Sequence, residues 1–399
     1  MRIAYISPTF LSDVDLSLLN DLQSKVDVDY YLQISPFILK NAAVCINKQN
    51  VKNGVLDVSD YPELEQFTRV IDKDKFYIVN DTGHHSYSIR SFFCYFHLLI
   101  KLLCGKYDVI HFTWPFTKAG YIMYFLRKKM IMTVHDPFPH SSNDDSYNRS
   151  VRKVAFRAVH NFILLNLQQK ENFIDYYQLQ KKKVFNSSLG CYSYLHIYDS
   201  TENTYFEDLK PGYILMFGNI LSHKGADYLL EAMELVHKTI PSAKLVVAGR
   251  WKWNYDKYDY FKNKSFIYLI DKFIPDSSLA QLIRNSSICV TPYLDATQSG
   301  VIMSAFAYNK PCIATNVGGL PEMVVDKKFG KIVPPKNIDA LANSIIELLH
   351  DHNLLCDYKY NIKNEYELGN KSWNIISDKL IDILSLIHIS EPTRLQLIS

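Results

Sequence analysis

The chain has 399 residues, 48% of them hydrophobic and 21% charged, which suits two or three ordinary domains and excludes a disordered composition. A net charge of +3 is too small to argue for nucleic acid. Seven cysteines scatter through apolar runs without a CxxC pair; they read as reduced, buried thiols of a cytoplasmic protein, with no metal site.

Met1-Arg2 leads into IAYIS and Pro8, too short a run for a signal-peptide core and suited to a first strand. No GxGxxG follows, so a dinucleotide site has no local support. Residues 9–25 read as loop and helix, Val26 to Ile34 as a second strand and Phe76 to Asn80 as a third. Ser91 to Cys104 is the most apolar segment, interrupted by His97 and Lys101. It is shorter than the ~20 residues a spanning helix needs, and predicts a helix packed on the sheet. The alternative is an amphipathic surface touching the inner membrane, with Arg90, Lys101 and Lys106 suited to anionic lipid.

Asp108 to Thr113 and Met130 onward are further strands, and their alternation with helices argues for a parallel sheet with right-handed crossovers. His135 lies at a strand end, where open sheets place ligand-binding groups, although a lone histidine is more often structural. Residues 137–150 are polar and turn-rich, a loop. A helix at Arg152 to Val159, a strand at Phe162 to Asn166, a helix over QQKENFIDYY and a strand at Lys183 to Ser187 follow. Polar, weakly patterned residues 195–211 mark a domain boundary.

The second domain opens with GYILMFGNILSHKG, Gly212 to Gly225: an apolar strand, Gly218, a loop, then Lys224 at the head of a helix with apolar Leu229, Leu230, Met233 and Val236. A cation there opposes the helix dipole unless an anion lies nearby; a solvated surface lysine is the plainer alternative. KLVVAGR supplies a strand and Arg250, which either reaches phosphate or makes a surface salt bridge. SICVTPY is a buried parallel strand, followed by the turn at Thr297, Gln298, Ser299 and Gly300 and a helix carrying Val301 and Ser304. Free N–H groups at that helix start suit phosphate, and Gly300 lets an anion approach the backbone. CIAT is the next strand; Gly318-Gly319 turn into a helix with Pro321 and Glu322 in its first turn. An ordinary βαβ pair with no ligand has the same local pattern.

The pieces FGNILSHKG, VVAGR, TPY and QSGVIMSAFAYNKPCIATNVGGLPE, in this order, resemble glycosyltransferase family 4, strongly over Gly212 to His350 and more weakly over residues 1–200. The resemblance implies an α/β GT-B fold: two Rossmann-like domains facing across a cleft, with a C-terminal helix crossing back to the first. The expected divisions are an acceptor domain at 1–200, a nucleotide-sugar domain at 201–365 and a crossover helix at 366–383. It also implies a hexosyltransferase-type enzyme that moves a sugar from a UDP or GDP sugar to a glycan or lipid-linked acceptor, retaining anomeric configuration, without metal or other cofactor. Bacterial cell-surface polysaccharide synthesis is the role it suggests. His135 would orient the sugar and Lys224 neutralise the diphosphate. Gly218, Asn219, Arg250, Phe273, Ile274, Asp295, Thr297, Gln298, Ser299, Gly300, Val301, Ser304 and Glu322 would line the donor site, Phe273-Ile274 bordering the base. The chain departs from the family at three places: Asn219 replaces an arginine, and Ala296 and Ser304 stand where two glutamates are usual. A GT-B sugar-nucleotide epimerase is one alternative, and a degenerate module that binds a partner transferase or a glycan is the alternative those departures favour. The tail from Leu384 resembles a translated sequencing-library adapter, so residues 384–399 are expected to be a processing scar.

Overall fold

A computed structural model describes residues 1–37, 39–41, 43–84, 88–115, 120–135, 137–138, 146–165, 169–200, 209–296 and 298–389. The chain divides into two compact units, Met1–Gly190 with Trp373–Ser399, and Cys191–Ser372.

The first unit begins with β1 (Arg2–Pro8), α1 (Ser12–Leu22) and β2 (Asp27–Ile34). A short hairpin, β3 (Lys40–Asn41) and β4 (Val44–Cys45), precedes β5 (Gly54–Asp57) and β6 (Phe76–Asn80). Then come α2 (Ile89–Cys104), β7 (Val109–Phe112), α3 (Gly120–Leu126), β8 (Met130–Val134), α4 (Ser146–Ala158), β9 (Asn161–Leu164), α5 (Lys170–Tyr176) and β10 (Lys183–Asn186). Among the described residues the sheet order is β10-β9-β8-β7-β1-β2-β6-β5. Every pairing is parallel except β5 with β6 at the edge. The strands are apolar nearly throughout because helices cover both faces of a parallel sheet. Four-residue β5 and the two-residue hairpin strands carry too little pattern to be read from sequence. The helix α4 begins at Ser146, inside the stretch expected to be loop; residues 139–145 lie outside the described residues.

The second unit runs β11 (Tyr213–Phe217), α6 (Ala226–Thr239), β12 (Leu245–Ala248), α7 (Tyr258–Lys262), β13 (Ile267–Ile270), α8 (Asp276–Asn285) and β14 (Ser286–Thr291). It continues through α9 (Gly300–Ala307), β15 (Cys312–Thr315), α10 (Leu320–Val324), β16 (Gly330–Val333), α11 (Ile338–His350) and α12 (His352–Lys363). Its sheet, in the order β13-β12-β11-β14-β15-β16 among the described residues, is parallel throughout. Leu229, Leu230, Met233 and Val236 of α6 are fully buried with Leu341, Ile345 and Leu348 of α11. Each such side chain contributes about 1.5–3 kcal/mol by leaving water. Residues 191–200 are tied to this unit: the Tyr192 amide donates to the Met303 carbonyl, and the Tyr194 hydroxyl to Asp276 at 2.8 Å.

The last helix, α13 (Trp373–Ile389), returns to the first unit. Lys25 joins it through the Ser377 hydroxyl and the Asp378 carboxylate, at 2.9 and 2.6 Å. The helix expected from residue 366 starts instead at Trp373, because residues 364–368 form a single π turn that Gly369 ends. It also runs on into the first residues of the tail set aside from the sequence, to Ile389, with Leu384 and Ile387 buried; residues 390–399 lie outside the described residues. The apolar spacing of Leu384-Ser-Leu-Ile-His-Ile continues the helical stripe whatever the origin of those residues.

Candidate functional site

In the second unit, three loops at the C-terminal ends of β11, β12 and β14 meet. β11 ends at Gly218, whose φ is +106°, and the next strand's Gly249 is packed so closely that a Cβ there would lie 1.7 Å from the Gly218 carbonyl oxygen. Only glycine fits, and the two chains stay in register past the sheet. Phe217 pairs with Ala248, and Ile220 bridges Trp251 in parallel. The same offset sets Arg250 beside Asn219.

Lys224 sits differently from its sequence expectation. It closes a one-turn 3-10 segment, Ser222–Lys224, and Gly225, at φ +66°, separates it from α6. A Cβ on Gly225 would stand 2.0 Å from the Pro292 carbonyl oxygen, so this turn lies directly on the loop after β14. The Leu294 amide donates to the His223 carbonyl at 2.8 Å, fastening the two loops together. The consequence is that the Lys224 ammonium rests 3.7 Å from the ring centre of buried Tyr293. Burial lowers the Lys224 pKa to about 8. A cation held over a ring rather than by a carboxylate keeps its charge for another anion.

Tyr293 is itself held: the Thr315 hydroxyl donates to its carbonyl at 2.5 Å, and burial pushes its phenol up to about 12 while the Ser299 hydroxyl pulls the other way. Burial, then the Lys224 charge, lowers His223, whereas Asp295 acts in the opposite direction. Exposed Asp295 is thus near the same turn.

The helix α9 starts at exposed Gly300, with buried Ser299 as its N-cap and no side-chain cap bond. Its first N–H groups therefore lack an internal partner, as at any helix start. A Cβ added to Gly218 would lie 3.7 Å from Val301, so the end of β11 abuts this first turn. The Tyr192 ring lies against one side of Gly300, 3.1 Å from where a Cβ would be. Ser304 donates its hydroxyl to the Gly300 carbonyl at 2.9 Å and is buried. Its oxygen keeps accepting capacity, but its proton is committed.

The sequence-derived candidates divide accordingly. Lys224, Gly218, Asn219, Arg250, Ser299, Gly300, Val301, Ser304 and Asp295 are gathered around these loops. Gln298 is half-buried in the turn, and Thr297 lies outside the described residues. The guanidinium of exposed Arg250 stacks 5.5 Å from the ring centre of exposed Phe273, and Ile274 follows half-buried. Glu322 is exposed near Lys371: burial lowers that lysine, and Glu365 and Glu322 oppose the shift. Tyr192 carried no recognisable sequence signal as a site residue, and Tyr293, although it ends the TPY piece, looks in the sequence like one more core aromatic. Among the described residues no group of three His, Cys, Asp or Glu side chains could hold a metal ion.

In the first unit His135 follows β8 and is buried beside a cavity bounded by Thr133, His111, Tyr5, Trp373 and Leu380. His111 bonds Thr133 at 2.7 Å, and burial, then neighbouring His135, lowers it to about 3. Asp136 lies outside the described residues.

The two parallel-sheet units and the loop site define a GT-B fold, and residues 199–365 match the family described as glycosyl transferases group 1. An uncharacterised glycosyltransferase of Methanocaldococcus jannaschii is 26% identical over 181 residues, 43% of this chain and 44% of that protein. A capsular polysaccharide biosynthesis glycosyltransferase, CapM of Staphylococcus aureus, is 24% identical over 51% of this chain and 56% of its own. The match thus spans about half the length of these curated relatives. Among solved structures, Anabaena HepE in complex with UDP superposes with a TM-score of 0.65 over 97% of this chain and all of its own, at 15% identity.

Proposed function

We propose that the protein is a glycosyltransferase that takes a sugar from a nucleotide-diphosphate donor held by the second unit. One observation carries this reading: the Lys224 ammonium is desolvated over Tyr293 without a carboxylate partner among the described residues, in loops that adjoin the N-terminus of α9. A partly buried cation beside free N–H groups is stable chiefly when an anion completes it. Capsular polysaccharide synthesis by CapM and the UDP complex of HepE support the same class of donor and a surface-glycan acceptor.

In this reading the acceptor hydroxyl forms its bond to the anomeric carbon as the bond from that carbon to the diphosphate oxygen breaks. The leaving diphosphate keeps the electron pair and receives the hydroxyl proton on the same face, so configuration is retained. Charge on the leaving group grows in an oxocarbenium-like transition state and needs preorganised donors. Lys224 and the N–H groups of Gly300 and Val301 supply them, Ser299 shapes the turn, and Asp295 and Gln298 with Thr297 contact the sugar. Ser304 accepts from the ribose, Phe273 and Ile274 border the base, Glu322 adds only a charge in the first turn of its own helix, and His135 orients the sugar.

Arg250 replaces the arginine missing at position 219. Its backbone is in register with Asn219 on the adjacent strand extension, so a guanidinium leaving its stack on Phe273 reaches the same ligand from one strand over. The absence of carboxylates at Ala296 and Ser304 favours a second reading, a module that binds the nucleotide without turning it over. Mass spectrometry of UDP-, GDP- and ADP-sugars incubated with the full chain and a glycan or lipid-linked acceptor separates them. Transfer supports the enzyme; nucleotide binding without transfer or donor loss supports the module.

A further inference from the structure

The helix α2 is apolar on two opposite sides. Ser91, Cys94, Tyr95, Leu98, Leu99 and Leu102 are buried against the sheet. Ile89, Phe92, Phe93, Phe96, Ile100 and Leu103 are exposed, from 43% for Phe96 to 71% for Ile89. Both sets recur at three- and four-residue steps, and at about 100° per residue the exposed stripe is centred roughly opposite the buried one. Scattered exposed apolar residues are ordinary; six on one stripe are a surface built to be covered. Phe92 and Phe96 stack in parallel with ring centres 6.1 Å apart, so the stripe is already ordered.

The surroundings identify the cover. Arg90 and Lys101 run along one flank between the two stripes, with Lys101 5.5 Å from the Tyr77 ring centre. On the neighbouring helix α3, which contacts α2, Tyr124 and Phe125 are exposed too. The Arg127 guanidinium lies 4.4 Å from the Tyr124 ring centre, and exposed Lys128 and Lys129 follow. Over residues 82–135 the sequence has seven Lys and Arg against one acid, Asp108. That carboxylate is occupied by the Arg2 amide at 2.8 Å. The whole chain is nearly balanced, so this excess is local.

We propose that the α2–α3 face is a docking surface for an anionic lipid bilayer, the exposed stripe entering the headgroup boundary and the basic flank meeting lipid phosphate. Aromatic and aliphatic side chains bordered by Lys and Arg fit that boundary, where the polar residues remain hydrated. A second copy of the chain fits poorly, because a two-fold contact would place the same cationic rim against itself. With 16 residues α2 lies on the membrane rather than crossing it, and no described helix is long and apolar enough to cross. The inference does not depend on the donor site.

Flotation of the full chain with vesicles of equal phosphatidylglycerol and phosphatidylcholine tests it. The parent should float with these vesicles, and about tenfold less with phosphatidylcholine alone or in high salt. Phe96→Glu with Ile100→Glu should lower the bound fraction at least about tenfold, while circular dichroism and melting stay as in the parent, since both sites are exposed. Replacing Arg127, Lys128 and Lys129 by Glu should weaken binding to the anionic vesicles alone. Equal flotation of parent and Phe96/Ile100 variant would overturn the proposal. So would a parent that fails to float but sediments as a dimer that the same substitutions dissociate; a second copy would then be the cover.

Discussion

The clearest perturbation is pH, because the proposed donor site hangs on one lysine, Lys224, whose pKa burial lowers to about 8. For a base lowered in the folded state, charge is present below the folded pKa and lost as pH rises through it. Donor capture by the free protein should therefore fall through about pH 8. The charged fraction drops from about nine tenths at pH 7 to about one tenth at pH 9, so kcat/KM for the donor should fall about tenfold across that interval. Lys224→Arg is the control: a guanidinium stays charged throughout, so its lower activity should be flat over the same range. Any ionisation of the substrate would be common to both proteins. The assay is initial transfer rate at low donor concentration, or donor affinity by calorimetry if transfer is slow. A parent profile as flat as that of the arginine variant would refute the reasoning, since Lys224 would then not be the charge that meets the diphosphate.

Other outcomes follow from the same geometry. Arg250→Ala should weaken nucleoside diphosphate binding about ten- to a hundredfold, the loss of one charge-assisted contact, and Asn219→Arg in that background should restore most of it; calorimetry decides. Tyr293→Phe should keep the ring under Lys224 and hence the affinity, whereas Tyr293→Leu should lower it several-fold. Gly249→Ala forces a Cβ onto the Gly218 carbonyl and should lower melting by several degrees, with loss of donor binding. In the first unit, burial raises Asp15 to about 7 while Tyr5 and Tyr30 donate to it. An acid raised in the folded state makes that state lose stability as pH climbs from about 4 to about 7. Asp15→Asn should accordingly gain on the parent over that window by a few kcal/mol, read from denaturant unfolding at each pH.

The alternation of strands and helices was legible because parallel strands, buried on both faces, read as apolar runs. The loops at the ends of β11 and β12 were legible as tight turns too, since Gly218, Gly225 and Gly249 mark places where backbone meets backbone. Other features were not. A four-residue edge strand such as β5 has almost no pattern, and the hydrogen bond its Val55 N–H donates to His97 Nδ1 explains a histidine that looked like an interruption of α2. Register is also silent in sequence: Arg250 is 31 positions from Asn219, and only strand pairing makes them neighbours. Tyr293 belongs to the TPY piece, but its contact with Lys224 shows only once the two loops are folded together. The membrane reading of α2 could be posed from its composition, but not argued, because two apolar stripes on opposite sides of one helix sum to the same hydrophobicity as one buried helix.

Calorimetric titration of the full chain with UDP, GDP and ADP, each up to millimolar concentration, and repeated on Lys224→Met, tests the proposed donor site most directly. The structure predicts that one nucleoside diphosphate binds and that the methionine variant loses at least about tenfold in affinity while melting no lower than the parent. Binding of none of the three, or equal binding by parent and variant, would contradict it.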